Sequence, residues 1–199
     1  MSNIAIIDSG GANIASLLFA FERLGHSAEL TTDINRIRSA ARVLLPGVGA
    51  AKDAMGRLRA ADLVDAIREL TQPVLGICLG MQLLCEASEE ENVDCIGVIP
   101  GNAKRLPSAP ECPVPNMGWC ATRKTADHPI LDNIDDGSYF YYLHSYALPV
   151  SDCTIATARH DGPFAAIIAH NNFVAAQFHP ERSSSAGAQL LRNFLEMKV

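Results

Sequence analysis

Short apolar runs alternate with stretches of good helix formers through the first 84 residues. Four such runs predict buried strands, at residues 3–8, 27–31, 42–45 and 74–78. Helices are predicted between and after them, over residues 13–24, 50–58 and 63–70 and from residue 80 onward. Strands joined by helices in this way indicate a parallel sheet with helices on both faces, whose ligands bind at the carboxyl ends of the strands.

The second half of the chain has a different pattern. Prolines at positions 100, 107, 110, 113 and 115 break the region 97–148 into short pieces, so we expect loops and short antiparallel strands there, the clearest strand being at residues 139–143. The acidic residues 86–91 predict a solvated helix end. Three further strands and a last helix are predicted at residues 154–158, 164–169, 173–178 and 184–197. We see no repeat or linker, and 199 residues predict one domain spanning residues 1–199.

Composition narrows the range of partners. No apolar run approaches the ~20 residues that a membrane span needs, and no basic segment precedes the first apolar run as it would in a signal peptide. The formal net charge is −6, and the 16 Lys and Arg residues are scattered singly, which gives no basic field for a polyanion. We therefore expect a cytoplasmic protein that binds neither a membrane nor a nucleic acid.

Cysteine and glycine spacing argue against a metal or a cofactor. The six cysteines form no C-x-x-C pair and no zinc-like pattern with the six histidines. The Gly-Gly pair at residues 10–11 lacks the full G-x-G-x-x-G pattern of a dinucleotide site. Five of the cysteines are expected to be reduced core or loop residues: Cys85, Cys95, Cys112, Cys120 and Cys153.

Cys78 stands where a predicted strand becomes a helix. Gly76 and Gly80 flank it with the spacing of the G-x-S-x-G nucleophile turn, with sulfur in place of oxygen. Small flanking residues permit a tight bend that exposes the central side chain, and the N–H groups of the following helix can favour a thiolate and hold an oxyanion. The alternative is a small core residue, so a nucleophile here requires a partner base.

That base is present in the segment Gln-Phe-His-Pro-Glu at residues 177–181. His179 falls at the end of the last predicted strand, and strand alternation places Glu181 on the same side, where a carboxylate can fix the tautomer of the imidazole. Taken alone, a histidine at a strand end is more often structural. A thiol, an imidazole and an acid together favour nucleophilic catalysis.

A loop at residues 46–49, Pro-Gly-Val-Gly, follows another predicted strand. Because parallel strands end at the same edge of a sheet, its backbone amides can approach Cys78 and form an oxyanion hole. Pro-Gly sequences are also common in purely structural turns.

The three segments at residues 46–49, 76–82 and 177–181 resemble the signature blocks of class I glutamine amidotransferases. Within that class, G-x-N at residues 11–13, Met-Gly-Trp at 117–119 and Leu-His-Ser-Tyr at 143–146 are similar to the glutaminase subunits of imidazole glycerol phosphate synthase. The resemblance runs from end to end. It implies a flavodoxin-like α/β fold with a mostly parallel central sheet, flanking helices and an antiparallel, strand-rich C-terminal half.

The resemblance also implies roles. Cys78 would attack the side-chain amide of glutamine, His179 would transfer protons and Glu181 would orient His179. The oxyanion would be held at the backbone of Leu79, Val48 and Gly49. The implied glutamine pocket consists of Gly47, Gln82, Glu90, Tyr141, His144 and Ser145.

The implied partner is a (β/α)8-barrel cyclase subunit in a heterodimer, which receives the ammonia and closes an imidazole ring in histidine biosynthesis. Its implied interface comprises Asn13, Met117, Trp119 and Arg182. Asn116, Cys120 and Arg182 depart from the residues common in the family, which affects only details of docking.

Three other interpretations remain open at this point. The chain could serve a pyridoxal phosphate or anthranilate synthase, or it could be a thiol hydrolase acting on peptides or esters. A regulatory subunit without catalysis is the third interpretation, although it would not need an intact set of Cys78, His179 and Glu181.

Overall fold

The computed structural model describes residues 4–10 and 14–198. The strands are β1 (Ile4–Ile7), β2 (Ala28–Thr31), β3 (Arg42–Gly47), β4 (Val74–Cys78), β5 (Ala87–Ser88), β6 (Val93–Asp94), β7 (Asn102–Arg105), β8 (Asn116–Ala121), β9 (Arg123–Lys124), β10 (Tyr139–His144), β11 (Tyr146–Ala147), β12 (Thr154–His160), β13 (Gly162–His170) and β14 (Phe173–Ala176). The α-helices are α1 (Ile14–Arg23), α2 (Ile34–Ser39), α3 (Ala51–Ala60), α4 (Leu63–Arg68), α5 (Leu79–Leu84) and α6 (Ser184–Glu196). Three 3₁₀ turns cover Glu90–Asn92, Pro129–Leu131 and Pro180–Arg182.

Eight strands form the central sheet, in the order β2-β1-β3-β4-β14-β13-β12-β9. The first five are parallel, and the last three add in antiparallel fashion. β4 lies between β3 and β14, with Val74 beside both Val43 and Phe173. The segments that follow these three strands therefore meet at one edge of the sheet. The predicted mostly parallel sheet with an antiparallel C-terminal half is confirmed.

Both faces of the sheet are covered by helices. Along β1, Ile4 and Ile6 pack in the core with α1 and α6, whereas Ala5 and Ile7 pack in the core with α2, α3, α4 and α5. A parallel strand that is buried on both faces has no need of polar positions, which explains the continuous apolar runs in the sequence.

Two smaller sheets lie outside the central one. β8 pairs with β10, and β11, β7, β5 and β6 form the other sheet. The β8–β10 pair turns Phe140 and Tyr142 inward, where Phe140 stacks on Phe178 at a ring-centroid distance of 4.0 Å. Its other face carries Met117 and Trp119, which are exposed.

Three predictions of local structure are wrong. Pro46 and Gly47 belong to β3 and not to a loop, because they pair with Ile77 and Cys78 of β4. The last strand ends at Ala176 instead of residue 178, because a 3₁₀ turn at Pro180–Arg182 follows it. The acidic residues 86–91 are not a helix end: α5 stops at Leu84, and the chain continues through β5 and a second 3₁₀ turn. Among the residues described, no helix combines the length and apolarity that crossing a membrane requires. The single domain over residues 1–199 stays a prediction.

Candidate active site

Cys78 occupies a strained turn between β4 and α5. Its backbone has φ 55° and ψ −113°, a combination that a residue with a side chain rarely adopts. Packing holds the turn in place, since a Cβ on Gly76 would lie 2.8 Å from Leu84 Cδ1, and one on Gly80 would overlap the carbonyl oxygen of Leu45. The turn has the geometry that the glycine spacing predicts.

The thiol faces a cavity of about 290 Å³. Cys78 is only 6% exposed, so a substrate must enter this cavity to reach the sulfur. Sγ donates to the carbonyl oxygen of Leu143 at 3.7 Å, and Gln177 Nε2 lies 3.9 Å from it.

His179 and Glu181 form a buried pair at the same edge of the sheet. His179 Nδ1 lies 3.0 Å from Glu181 Oε1, and both side chains are at most 9% exposed. The 3₁₀ turn at Pro180–Arg182 brings them together, so the prediction that strand alternation would do so is wrong in its reason. With Nδ1 turned to the carboxylate, Nε2 is the nitrogen left for the thiol.

The backbone of His179 is fixed by bonds to β10 and to Ser183. Its N–H donates to the carbonyl oxygen of Tyr141 at 2.9 Å. Ser183 Oγ donates to the carbonyl oxygen of His179 at 2.6 Å and accepts the N–H of Tyr141 at 2.9 Å. Ser183 is buried, so these bonds are shielded from water.

The surroundings of His179 favour its charged form. Burial by itself lowers the pKa of this imidazole, but hydrogen bonds to Cys78 and Glu181, together with their negative charges, raise the pKa to about 10. His179 can therefore be protonated at neutral pH and donate a proton to a leaving group beside Cys78.

The cavity collects most of the predicted site residues. Its lining includes Cys78, His179, Glu181, the predicted oxyanion residues Val48, Gly49 and Leu79, and the predicted pocket residues Gln82, Glu90, His144 and Ser145. Gly47 and Tyr141 are not part of this lining. Four lining residues that were not predicted for the pocket are Pro115, Leu143, Tyr146 and Arg182.

Gln82 and Glu90 are each held by hydrogen bonds to other parts of the chain. Gln82 Nε2 donates to the carbonyl oxygen of Tyr146 at 2.9 Å and to Gln177 Oε1 at 3.1 Å. Glu90 Oε2 accepts the N–H of Ala51 at 2.8 Å, which caps α3 where Ala50 supplies no side-chain cap. One carboxylate oxygen of Glu90 is thereby committed to the protein.

His144 is neutral and fixed. Burial lowers its pKa to about 4. Nδ1 lies 2.9 Å from the carbonyl oxygen of Tyr146, so it carries the proton, and Nε2 accepts from Asn116 Nδ2 at 3.0 Å. Both ring nitrogens of His144 are therefore bonded to the protein, and neither is free to bind a ligand in the cavity.

The predicted partner-facing residues lie next to the cavity. Met117 and Trp119 are 68% and 51% exposed. The ring of Tyr141 meets Trp119 edge to face at 6.1 Å, and the guanidinium of Arg182 lies 4.5 Å above the Tyr141 ring. Asn13 lies outside the described residues.

Two positions that sequence reasoning missed are Gln177 and Ser183. Gln177 belongs to the block that also contains His179, but nothing in its spacing assigned it a contact. Ser183 follows Glu181 by two residues, and only the 3₁₀ turn directs its hydroxyl to His179. Within residues 4–10 and 14–198, no group of three or more His, Cys, Asp or Glu side chains is arranged to hold a metal ion.

The chain is similar to known proteins in its sequence and in its fold. The family model "Glutamine amidotransferase class-I" matches residues 5–197. Imidazole glycerol phosphate synthase subunit HisH of Pasteurella multocida is 50% identical over 196 residues, covering 98% of each chain. The protein of the same name from Idiomarina loihiensis is 51% identical over 197 residues, covering 99% of each chain.

Solved structures give the same fold at low identity. A protein described as part of a GMP synthase from Thermoplasma acidophilum superposes with a TM-score of 0.76 at 18% identity, covering 98% of this chain and 93% of that one. A glutamine amidotransferase from Thermotoga maritima superposes with a TM-score of 0.65 at 17% identity, covering 98% and 81%.

Proposed function

Because the chain belongs to the class I glutamine amidotransferases, and within them to the family of imidazole glycerol phosphate synthase subunits HisH, we propose that it hydrolyses glutamine and supplies ammonia to a synthase partner. The observation that carries this proposal is the meeting of Cys78 with the His179–Glu181 pair in a cavity also lined by Val48 and Gly49.

The first half of the reaction forms a thioester. The Cys78 thiolate attacks the carboxamide carbon of glutamine, and the carbonyl oxygen takes up the negative charge. As the tetrahedral intermediate collapses, the C–N bond breaks and the imidazolium of His179 gives its proton to the nitrogen, which leaves as ammonia. Glu181 keeps Nε2 of His179 directed at the reacting atoms.

The second half regenerates the thiol. Neutral His179 takes a proton from water, whose oxygen attacks the thioester carbon, and the C–S bond breaks to release glutamate and the Cys78 thiolate beside the imidazolium. Backbone amides at Leu79 and in the Val48–Gly49 loop are the donors for both oxyanions, and losing one such donor typically costs ~10²–10³ in rate.

Glutamine recognition is assigned to Gln82 and Glu90. Both N–H groups of the Gln82 amide are committed to the protein, so its Oε1 is the polar atom that remains for a substrate donor. Glu90 supplies a negative charge suited to the α-ammonium group of glutamine. The remaining wall of the pocket is mostly apolar, formed by Pro115, Leu143 and Tyr146.

The partner is a second subunit, since the relatives are named as subunits of a synthase. We assign it as a (β/α)8-barrel cyclase in the cytoplasm, acting in histidine biosynthesis. It would cover the exposed face that carries Met117 and Trp119, with the exposed Arg182 beside it. Asn13, which the resemblance also implies for this interface, lies outside the described residues.

The test compares glutamine with ammonia as the nitrogen source for the reconstituted synthase. Cys78→Ala should abolish the glutamine-dependent reaction and leave the ammonia-dependent reaction of the partner intact, because only the thiol is removed. Cys112→Ala, which changes a cysteine outside the cavity lining, is the control and should keep both activities.

Retention of glutaminase activity by Cys78→Ala would contradict the proposal. If the chain copurifies with a pyridoxal phosphate or anthranilate synthase, the assignment of the partner is wrong, while the proposed glutaminase activity stands. Hydrolysis of a peptide or ester panel in preference to glutamine would replace the function with that of a thiol hydrolase.

A further inference from the structure

A buried amide lies beside the reacting sulfur. Gln177 is completely inaccessible to solvent, and its Nε2 lies 3.9 Å from Cys78 Sγ. Its backbone N–H donates to the carbonyl oxygen of Ala166 at 2.9 Å, which anchors the residue just beyond the end of β14. A completely buried polar side chain costs free energy unless its groups are bonded, so the partners of this amide are informative.

The orientation of the Gln177 amide follows from its other neighbour. Gln82 Nε2 has two hydrogens, one donated to the carbonyl oxygen of Tyr146 and one to Gln177 Oε1. Because Oε1 of Gln177 faces Gln82, the amide nitrogen must face Cys78. Gln177 therefore turns its N–H donor, and not its own side-chain oxygen, toward the sulfur.

The other contact of the sulfur has the opposite character. The carbonyl oxygen of Leu143 accepts from the Cys78 S–H at 3.7 Å, a bond that only the neutral thiol can make. A thiolate at this position loses that bond and needs donors in its place. His179 is one, and the amide of Gln177 is the second.

We propose that Gln177 is a further catalytic residue, whose side-chain amide donates to Cys78 Sγ and stabilises the thiolate that attacks the substrate. Gln82 acts as the positioning residue that holds this amide. The role within glutamine hydrolysis rests on the function proposed above, whereas the effect on the reactivity of Cys78 does not.

The same bond serves both halves of the reaction. When the C–S bond forms, the negative charge leaves the sulfur for the oxyanion and the bond from Gln177 weakens. When the thioester is hydrolysed, the C–S electrons return to the sulfur and the amide stabilises the departing thiolate. A hydrogen bond to a charged group is typically worth enough to change a rate about 10- to 100-fold.

The experiment measures alkylation of Cys78 by iodoacetamide in the full chain without glutamine, together with the ultraviolet absorbance of the thiolate relative to Cys78→Ala. Gln177→Met removes the donor at similar size, and Gln177→Glu keeps an acceptor for Gln82 but replaces the donor with an anion. We expect both to alkylate about 10-fold or more slowly, to lose thiolate absorbance, and to lose glutaminase kcat with little change in KM.

Thr122→Val is the matched control. It also removes one buried hydrogen bond, between Thr122 Oγ1 and Tyr142 Oη at 2.7 Å, at a position that does not line the cavity. It should alkylate like the wild type, which separates the proposed role from a general loss of stability.

Wild-type rates of alkylation in folded Gln177→Met or Gln177→Glu would overturn the proposal. Should neither variant fold, the side-chain amide NMR signals of Gln177 in the wild type decide: they should shift in Cys78→Ala, and unchanged signals would also overturn it. The two proposals can also fail separately. If the wild-type complex does not hydrolyse glutamine, but the Gln177 variants still alkylate more slowly than the wild type, only the glutaminase function is contradicted.

Discussion

Two glycine-containing turns lie side by side at the carboxyl ends of β3 and β4, and they constrain the site in different ways. Gly80 follows Cys78 at a point where a Cβ would overlap the carbonyl oxygen of Leu45. Gly49 follows Val48 with φ +90°, in a conformation that favours glycine, but a Cβ there would meet nothing within 4 Å. At Gly80 a side chain is excluded because there is no space for it. At Gly49 there is space, and a side chain is disfavoured only by the positive φ.

This difference separates a rigid part of the site from an adjustable one. The turn at Cys78 is held by close packing, because Gly47 also approaches Leu79 so tightly that a Cβ would lie 3.0 Å from Leu79 Cβ. Gly49, by contrast, has open space where its side chain would be. The turn at Cys78, the proposed nucleophile, is therefore held by packing, whereas no such packing holds Gly49 beside the proposed oxyanion donors.

The largest effect is expected from Gly80→Ala. Its Cβ can be accommodated only if β3 and the first turn of α5 separate, so we expect the free energy of unfolding to fall by about 3 kcal/mol or more. Urea denaturation followed by circular dichroism measures the change. A shift below about 1 kcal/mol would show that the two elements can move apart easily and that the Cys78 turn is not rigid.

The rigid turn was accessible from sequence because its cause is local. Gly76, Cys78 and Gly80 lie within five residues, and a strand followed by helix formers implies a bend between them. The apolar runs likewise predicted the parallel strands, since burial on both faces leaves no polar position.

The contacts around Cys78 could not be predicted from the sequence, because they join residues that are far apart along the chain. Gln82 and Gln177 meet although they lie 95 residues apart, and Glu90 caps α3 across 39 residues. The Gln82–Gln177 contact depends on β14 taking its place beside β4, which no local period specifies. The Glu90–Ala51 contact likewise joins two segments whose packing no local period specifies. The prediction of the His179–Glu181 contact is right but its reason is wrong: the strand ends at Ala176, and the contact is made between His179, the extended N-cap residue, and Glu181 inside the 3₁₀ turn.

A smaller effect on stability, but a specific effect on activity, is expected from Gly49→Ala. A side chain at this φ costs about 1–2 kcal/mol of stability. Relaxation toward negative φ would change the orientation of the Val48–Gly49 peptide, which carries the proposed oxyanion donor, so glutaminase kcat of the complex should fall by at least about tenfold with little change in KM.

Gly97→Ala supplies the control for that measurement. Gly97 has φ +76°, its Cβ position is equally open, and it does not line the cavity. It should lose a similar amount of stability and keep the wild-type kcat. Equal kcat values for Gly49→Ala, Gly97→Ala and the wild type would contradict a role for the Val48–Gly49 peptide.

The smallest effect, and one of opposite sign, is expected from Gly56→Ala. Gly56 lies in the middle of α3 with an exposed position and nothing within 4 Å of its Cβ, and it has no unusual φ. Alanine should therefore stabilise the chain by about 0.5–1 kcal/mol, raising Tm by roughly 1–4 °C in a thermal scan, because it reduces the entropy lost on forming the helix. Since α3 begins directly after the Val48–Gly49 loop, glutaminase kcat should be measured on the same sample. A raised Tm with an unchanged kcat would show that the adjustable part of the site is the loop alone. A changed kcat would show that the stability of α3, which Glu90 caps, also affects the position of the oxyanion donors.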